Sequence, residues 1–142
     1  MAAVQRLALL GVLLVGALAA CGGGSGGGSA TAQIKSAYAT FFSGKSSVSQ
    51  RVAVLQDGSR FTPVVRSFAS NPAAKRVSVN VSSVTLEGAN KAKVVYTVKL
   101  GSASLPTQTG TAVKQNGHWK VGYASLCRLV ALSGTTPSAC KP

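Results

Sequence analysis

The sequence predicts an α+β domain in which N-terminal helices pack on a bent four-stranded antiparallel sheet. Two observations lead there. Apolar residues recur at helical spacing as far as about Phe68, then at every second position from Arg76 onward. Asn116-Gly117, between two alternating runs, is a strong signal for a two-residue hairpin. Helices first and strands afterwards give segregated layers rather than a parallel α/β sheet.

The helices come in order. Ile34, Ala37, Tyr38, Phe41 and Phe42 fall at i, i+3, i+4, i+7 and i+8, one apolar face of a helix that Gly44 ends. A second stretch carries Val48, Val52 and Leu55, with Ser46 or Ser47 as N-cap, and stops at Asp57-Gly58. A third places Phe61, Val64, Val65 and Phe68 on one side. Pro63 fits there only in the first turn, which Ser59 as N-cap provides. Asn71-Pro72 closes the helical half.

The strands follow. Val77, Val79 and Val81 alternate with polar residues, and Val84 and Leu86 continue on the opposite parity. A bulge at Ser82-Ser83 keeps both sets inward. Glu87-Gly88-Ala89-Asn90 forms a turn, and Ala92, Val94, Tyr96, Val98 and Leu100 make the inner face of the second strand. The third strand runs from about Leu105 to Gln115. The Asn116-Gly117 turn sets Gln115 opposite His118 and Ala112 opposite Val121. Trp119, Val121 and Tyr123 then share a face with Gly110 and Ala112. Ser125–Leu132 reads as a short last helix.

The start of the chain belongs to export. A positive beginning at Met1–Arg6, an apolar stretch at Leu7–Leu18 and the ending Leu18-Ala19-Ala20-Cys21 make residues 1–20 a secretory signal. The ending looks like a bacterial lipobox, in which the Cys21 thiol receives a diacylglyceryl group and becomes the new first residue. Leu7–Ala20 is fourteen residues, short of the roughly 20 that a membrane span needs. An ordinary cut after Ala20 would leave an unpaired thiol, a liability in an oxidising compartment. Two or more acyl chains anchor stably. The expected location is the cell membrane, lipid-anchored on its extracytoplasmic face. Residues 21–30 hold the lipidated Cys and a Gly/Ser linker spanning roughly 16 Å as coil, and residues 31–142 form a single α+β domain.

Fifteen Lys and Arg stand against Asp57 and Glu87, a net charge of +13. Such a balance favours anionic partners. Nucleic acid is excluded by the compartment and by the lack of interleaved aromatics. Anionic envelope components or a protein remain, met by Arg76, Lys91, Lys93, Lys99 and Lys120 on the outer sheet face. The cheaper reading is a solvated basic surface beside an anionic bilayer, at about 1 kcal/mol per cation near the surface. With Cys21 assigned to lipid, Cys127 and Cys140 are an even pair in an exported chain, and a disulfide is the default.

Asn116–Val121 reads Asn-Gly-His-Trp-Lys-Val, and Ala124–Cys127 reads Ala-Ser-Leu-Cys. With the helical opening and the strand order, these residues resemble the mycobacterial low-molecular-weight secreted antigen family over about Thr31–Ala139. The resemblance implies a cystatin-like or nuclear-transport-factor-2-like fold, in which a bent sheet wraps helices and can leave a cone-shaped cavity. It also implies an actinobacterial envelope protein. It brings no catalytic motif onto numbered positions.

Candidate chemistry is sparse. Asp57 and Glu87 each precede a glycine and read as turn residues. His118 points outward beside the hairpin. No argument from sequence brings any two of these together, so no general acid or base is nominated. No Gly-x-Ser-x-Gly elbow, phosphate loop or metal-ligand cluster occurs, and no cofactor is expected. What remains is the aromatic set: Tyr38, Phe42, Tyr96, Trp119 and Tyr123 converge with Phe41, Phe61 and Phe68 between helices and sheet. They either fill a core or line a pocket for a small hydrophobic or lipid-like ligand. The expectation is a non-catalytic, lipid-anchored envelope protein that binds a partner. The alternative is a carrier of a hydrophobic ligand, and behind it a degenerate isomerase-like enzyme.

Overall fold

A computed structural model describes residues 26–142. The leader, Cys21 and the linker up to residue 25 lie outside the described residues. Helix α1 spans Gly26–Phe42. Ala30, Ile34, Ala37, Tyr38, Phe41 and Phe42 are all buried, so the face read from spacing is the face that packs. The helix starts earlier than expected, because Gly26–Ser29 of the expected linker forms its first turn. Glycine costs about 1 kcal/mol per helical position relative to alanine. The buried face from Ala30 onward supplies the packing that those glycines lack.

Helix α2 spans Val48–Ala53. The Ser47 hydroxyl accepts from the Gln50 N–H at 3.2 Å, and the Ser47 N–H donates to Gln50 Oε1 at 2.8 Å. This reciprocal capping box satisfies two otherwise orphaned donors. Ser47→Ala is expected to cost about 1 kcal/mol, read as a lower urea midpoint with an unchanged slope.

Helix α3 spans Thr62–Ser70, with Pro63 in its first turn. Ser59 is not its N-cap, as the sequence suggested. Gly58–Phe61 forms a separate 3-10 turn, entered through Asp57 at φ 51°, and the Ser59 carbonyl accepts from the Thr62 hydroxyl at 3.0 Å. Asn71 caps a second 3-10 turn at Pro72–Arg76, accepting from the Ala73 N–H at 2.9 Å.

The strands are β1 (Val77–Leu86), β2 (Lys91–Leu100), β3 (Ala103–Ser104), β4 (Gln108–Gln115) and β5 (His118–Val121). All pairs are antiparallel in the order β1-β2-β4-β5, and the two-residue β3 pairs the end of β2. The bulge falls where expected: Val81 faces Tyr96 and Ser83 faces Val95, with Ser82 left over. The third long strand starts later than Leu105. The Leu105 N–H still donates to the Val98 carbonyl at 2.9 Å, but Pro106 has no N–H to continue the ladder.

Asn116 at φ 52° and Gly117 at φ 78° both take the left-handed conformation that a type I′ turn demands. Gln115 faces His118 and Ala112 faces Val121, the register read from the sequence. The free edge of β5 is covered: the Val121 N–H donates to the Val54 carbonyl, and the Gln56 N–H donates to Val121, both at 2.8 Å. Helix α1 contacts both β1 and β5, and the sheet curls around it. Helix α4 spans Tyr123–Ala131, and a disulfide joins its Cys127 to Cys140, with Cα atoms 5.5 Å apart. No helix among the described residues is long and apolar enough to cross a membrane.

Candidate functional site

The aromatic cluster is a packed core. Tyr38 lies 5.0 Å from Tyr96 and 6.0 Å from Phe42 between ring centroids, and Phe42 lies 5.5 Å from Tyr96. The Tyr38 hydroxyl donates to the Thr111 carbonyl at 2.9 Å and sits 3.2 Å from the Ser125 hydroxyl. Burial pushes the Tyr38 hydroxyl well above its ordinary pKa, and that of Tyr96 upward too, so both stay neutral. Trp119 is buried at the β5 end of the same core. Tyr123 is not part of it. Because β5 ends at Val121 and the chain turns into α4, Tyr123 is 38% exposed and stacks on Phe61 at 5.4 Å.

The concave site lies elsewhere. Between α3, α4 and the C-terminal segment runs a cleft of about 720 Å³. Val64 and Phe68 of α3 form one wall, Leu129 and Val130 of α4 the other, and Thr135–Ala139 the lip. A smaller chamber of about 140 Å³ shares Phe68, Asn71 and Leu129 with the cleft. It reaches the inner face of the sheet at Val77, Val98 and Leu100. A third groove of about 670 Å³ separates the middle of α1, at Ala32, Gln33 and Ser36, from Gly117–Lys120.

Two arginines shape the cleft. Arg60 stands at its rim, exposed, with its Nη2 donating to the Ala139 carbonyl at 3.1 Å and its guanidinium 5.4 Å from the Phe61 ring. Arg51 is buried behind it. Its Nη2 donates to the Ser43 carbonyl at 2.6 Å and its Nε to the Ser46 carbonyl at 3.2 Å. Its guanidinium lies 5.1 Å from the Phe68 ring, while Nη1 has no partner among the described residues. Desolvation pulls the Arg51 pKa down from its ordinary value. Phe68 is thus held by a cation on one side and lines the cleft.

The sequence treated Val64 and Phe68 as core alongside Phe61 and Val65. In the fold Phe61 and Val65 are buried, whereas Val64 and Phe68 are half-buried and face the cleft. The signal for this was the Gly134–Pro137 segment after α4, which turns the tail back over α3.

The titratable residues gather at one end of the sheet. Asp57 Oδ1 accepts from Gln115 Nε2 at 2.7 Å, and Gln115 is the cross-strand partner of His118. Glu87 sits in the neighbouring turn, 3.9 Å from the Lys91 ammonium. All three are exposed, and none lines the α3–α4 cleft. Among the described residues no group of three or more His, Cys, Asp or Glu is placed to hold a metal ion. The predicted basic residues Lys91, Lys93 and Lys99 are exposed along β2. Lys120 is half-buried opposite Val113 on β4, in the same row as Lys91. Arg76, expected on the strand, is the last residue of the 3-10 turn before β1.

The sheet curled around α1 matches the fold that the resemblance implied, and the α1 face and hairpin register match the residue spacing. The family model described as low molecular weight antigen MTB12, C-terminal domain, matches residues 28–137. The chain belongs to this family. No curated relative matches it. The span of the MTB12 C-terminal domain takes in every strand and Cys127 but stops short of Cys140, so the disulfide reaches past the matched residues.

Proposed function

We propose that this MTB12-family chain is a non-catalytic, lipid-anchored binding module of the cell envelope. Cys21 holds it on the extracytoplasmic face of the membrane, where its basic sheet docks anionic envelope components. The charge distribution supports this most: Lys91, Lys93 and Lys99 project along one strand, and only Glu87 opposes them. Lys91, Lys114 and Lys120 lie at the end of the sheet where the β1–β2 and β4–β5 turns sit. The Cys127–Cys140 disulfide suits an oxidising compartment. Asp57, Glu87 and His118 serve turns and a strand end rather than the cleft.

Expression of the full chain and of Cys21→Ser in a lipoprotein-processing bacterium tests the anchor. The parent chain is expected in the membrane fraction and Cys21→Ser outside it; equal partition of the two overturns the anchor. On the full-length Cys21→Ser chain, Lys91→Gln/Lys93→Gln/Lys99→Gln is expected to weaken binding to anionic vesicles by about a hundredfold at low salt. Salt at 1 M, with a Debye length of about 3 Å, should abolish what remains. Binding that survives both sinks the basic-surface reading.

A second reading, a carrier of a small hydrophobic ligand, is favoured by the cleft. Its volume falls within the roughly 300–1,000 Å³ of ordinary ligand sites. Its walls present the half-buried apolar side chains of Val64, Phe68, Leu129 and Val130.

A further inference from the structure

Resting on that carrier reading, we propose that the α3–α4 cleft binds a single-chain anionic amphiphile, with its carboxylate or other acidic head at Arg60 and its tail between Phe68 and Leu129. The argument begins with packing. Protein interiors close their gaps to the density of organic crystals. Here Val64 and Phe68 face Leu129 and Val130 across an open cleft. The walls are held from behind. Phe68 lies under the buried Arg51 guanidinium, Leu126 seats α4 in the core, and Cys127–Cys140 ties the tail that forms the lip. A cleft held open between apolar walls is suited to an apolar occupant.

The two ends of the cleft differ in chemistry. The inner chamber, among Val77, Val98, Leu100 and Leu105, is almost wholly apolar and suits the end of an alkyl chain. Each methylene moved there from water gains about 0.8 kcal/mol. The rim carries Arg60 and the hydroxyls of Ser67, Ser133 and Thr136. Arg60 has one N–H on the Ala139 carbonyl, and a guanidinium offers five in a planar fork matched to a carboxylate or phosphate. No acidic residue lines either space, and the whole chain is strongly cationic. The site therefore complements one negative head and one slender tail.

The test uses the mature lipidated chain, from Cys21 onward, held in amphipol. Its probes are photoreactive palmitic acid and the matching photoreactive C16 alcohol, and labelled peptides are mapped by mass spectrometry. The acid is expected to label α3, α4 or the 133–139 segment at one probe per chain, about tenfold tighter than the alcohol. Arg60→Gln should bring the acid down to the level of the alcohol and leave the alcohol unchanged. Leu129→Trp and, independently, Val64→Trp should fill the cleft and abolish labelling by both, with circular dichroism showing a folded domain. Acid and alcohol of equal affinity in the parent chain would overturn the anionic head while leaving the carrier reading intact. Absence of specific labelling, or labelling untouched by both tryptophans in folded protein, would overturn both.

Discussion

Gly110→Ala is expected to destabilise the domain by about 4 kcal/mol, most of the stability of a domain at the low end of the usual range. A Cβ at this position would stand 2.7 Å from the Tyr38 hydroxyl and 2.9 Å from Tyr96 Cε1, and would collide with the Ser125 hydroxyl. None of these atoms can give way cheaply. Tyr38 and Ser125 are buried and bonded to each other and to the Thr111 backbone. Overpacking a core costs about 1–3 kcal/mol, and each buried hydroxyl pushed off its partner adds a similar amount. Urea denaturation measures the loss. Gly117→Ala is the reference, because a Cβ there meets open space and only its φ of 78° is strained, a cost of about 1–2 kcal/mol. If the collision is the cause, adding Ser125→Ala to Gly110→Ala should recover part of the loss, a non-additivity expected only of touching residues. Equal losses at Gly110 and Gly117 would refute the packing account.

Gly110 also marks how far the sequence could be read. The hairpin fixed its register from two residues, because a type I′ turn admits few side chains and sets every pair that follows. The α1 face and the β2 alternation were equally plain, since Ile34, Tyr38, Phe42, Val94 and Tyr96 repeat at the periods of their elements. Tyr123 was misplaced because alternation has no built-in end. The residue after Val121 turns away to satisfy a helix start, and nothing in a period of two announces that. The cleft was hidden for a related reason. Val64 and Val65 look alike in a hydropathy pattern, and only the tertiary fold decides which is covered. Arg51 was overlooked because arginine is almost never fully buried unless paired. Its partners are two carbonyls and an aromatic ring rather than an acid, which a charge pattern does not reveal.

Removing the disulfide with Cys127→Ala/Cys140→Ala is expected to cost about 3 kcal/mol, from the loss of closure of a short loop in the unfolded chain. The bond spans a sequence separation of 13, and its effect on the native state should be local. Leu126 is buried beside Cys127 and keeps α4 seated. Beyond Ala131 the tail is held by the Arg60 bond to the Ala139 carbonyl, short-range turns, the packing of half-buried Ala139 and Cys140 against the core, and the disulfide itself. Hydrogen exchange should therefore quicken first at residues 132–141, while α1 and β2 keep their protection up to the global limit. The same segment forms the lip of the cleft, so the double variant should lose stability and ligand retention together. Arg60→Gln, by contrast, should lose retention with little change in stability. Uniform quickening of exchange across α1, β2 and the tail would mean that the disulfide acts only through the unfolded chain and leaves the cleft as it was.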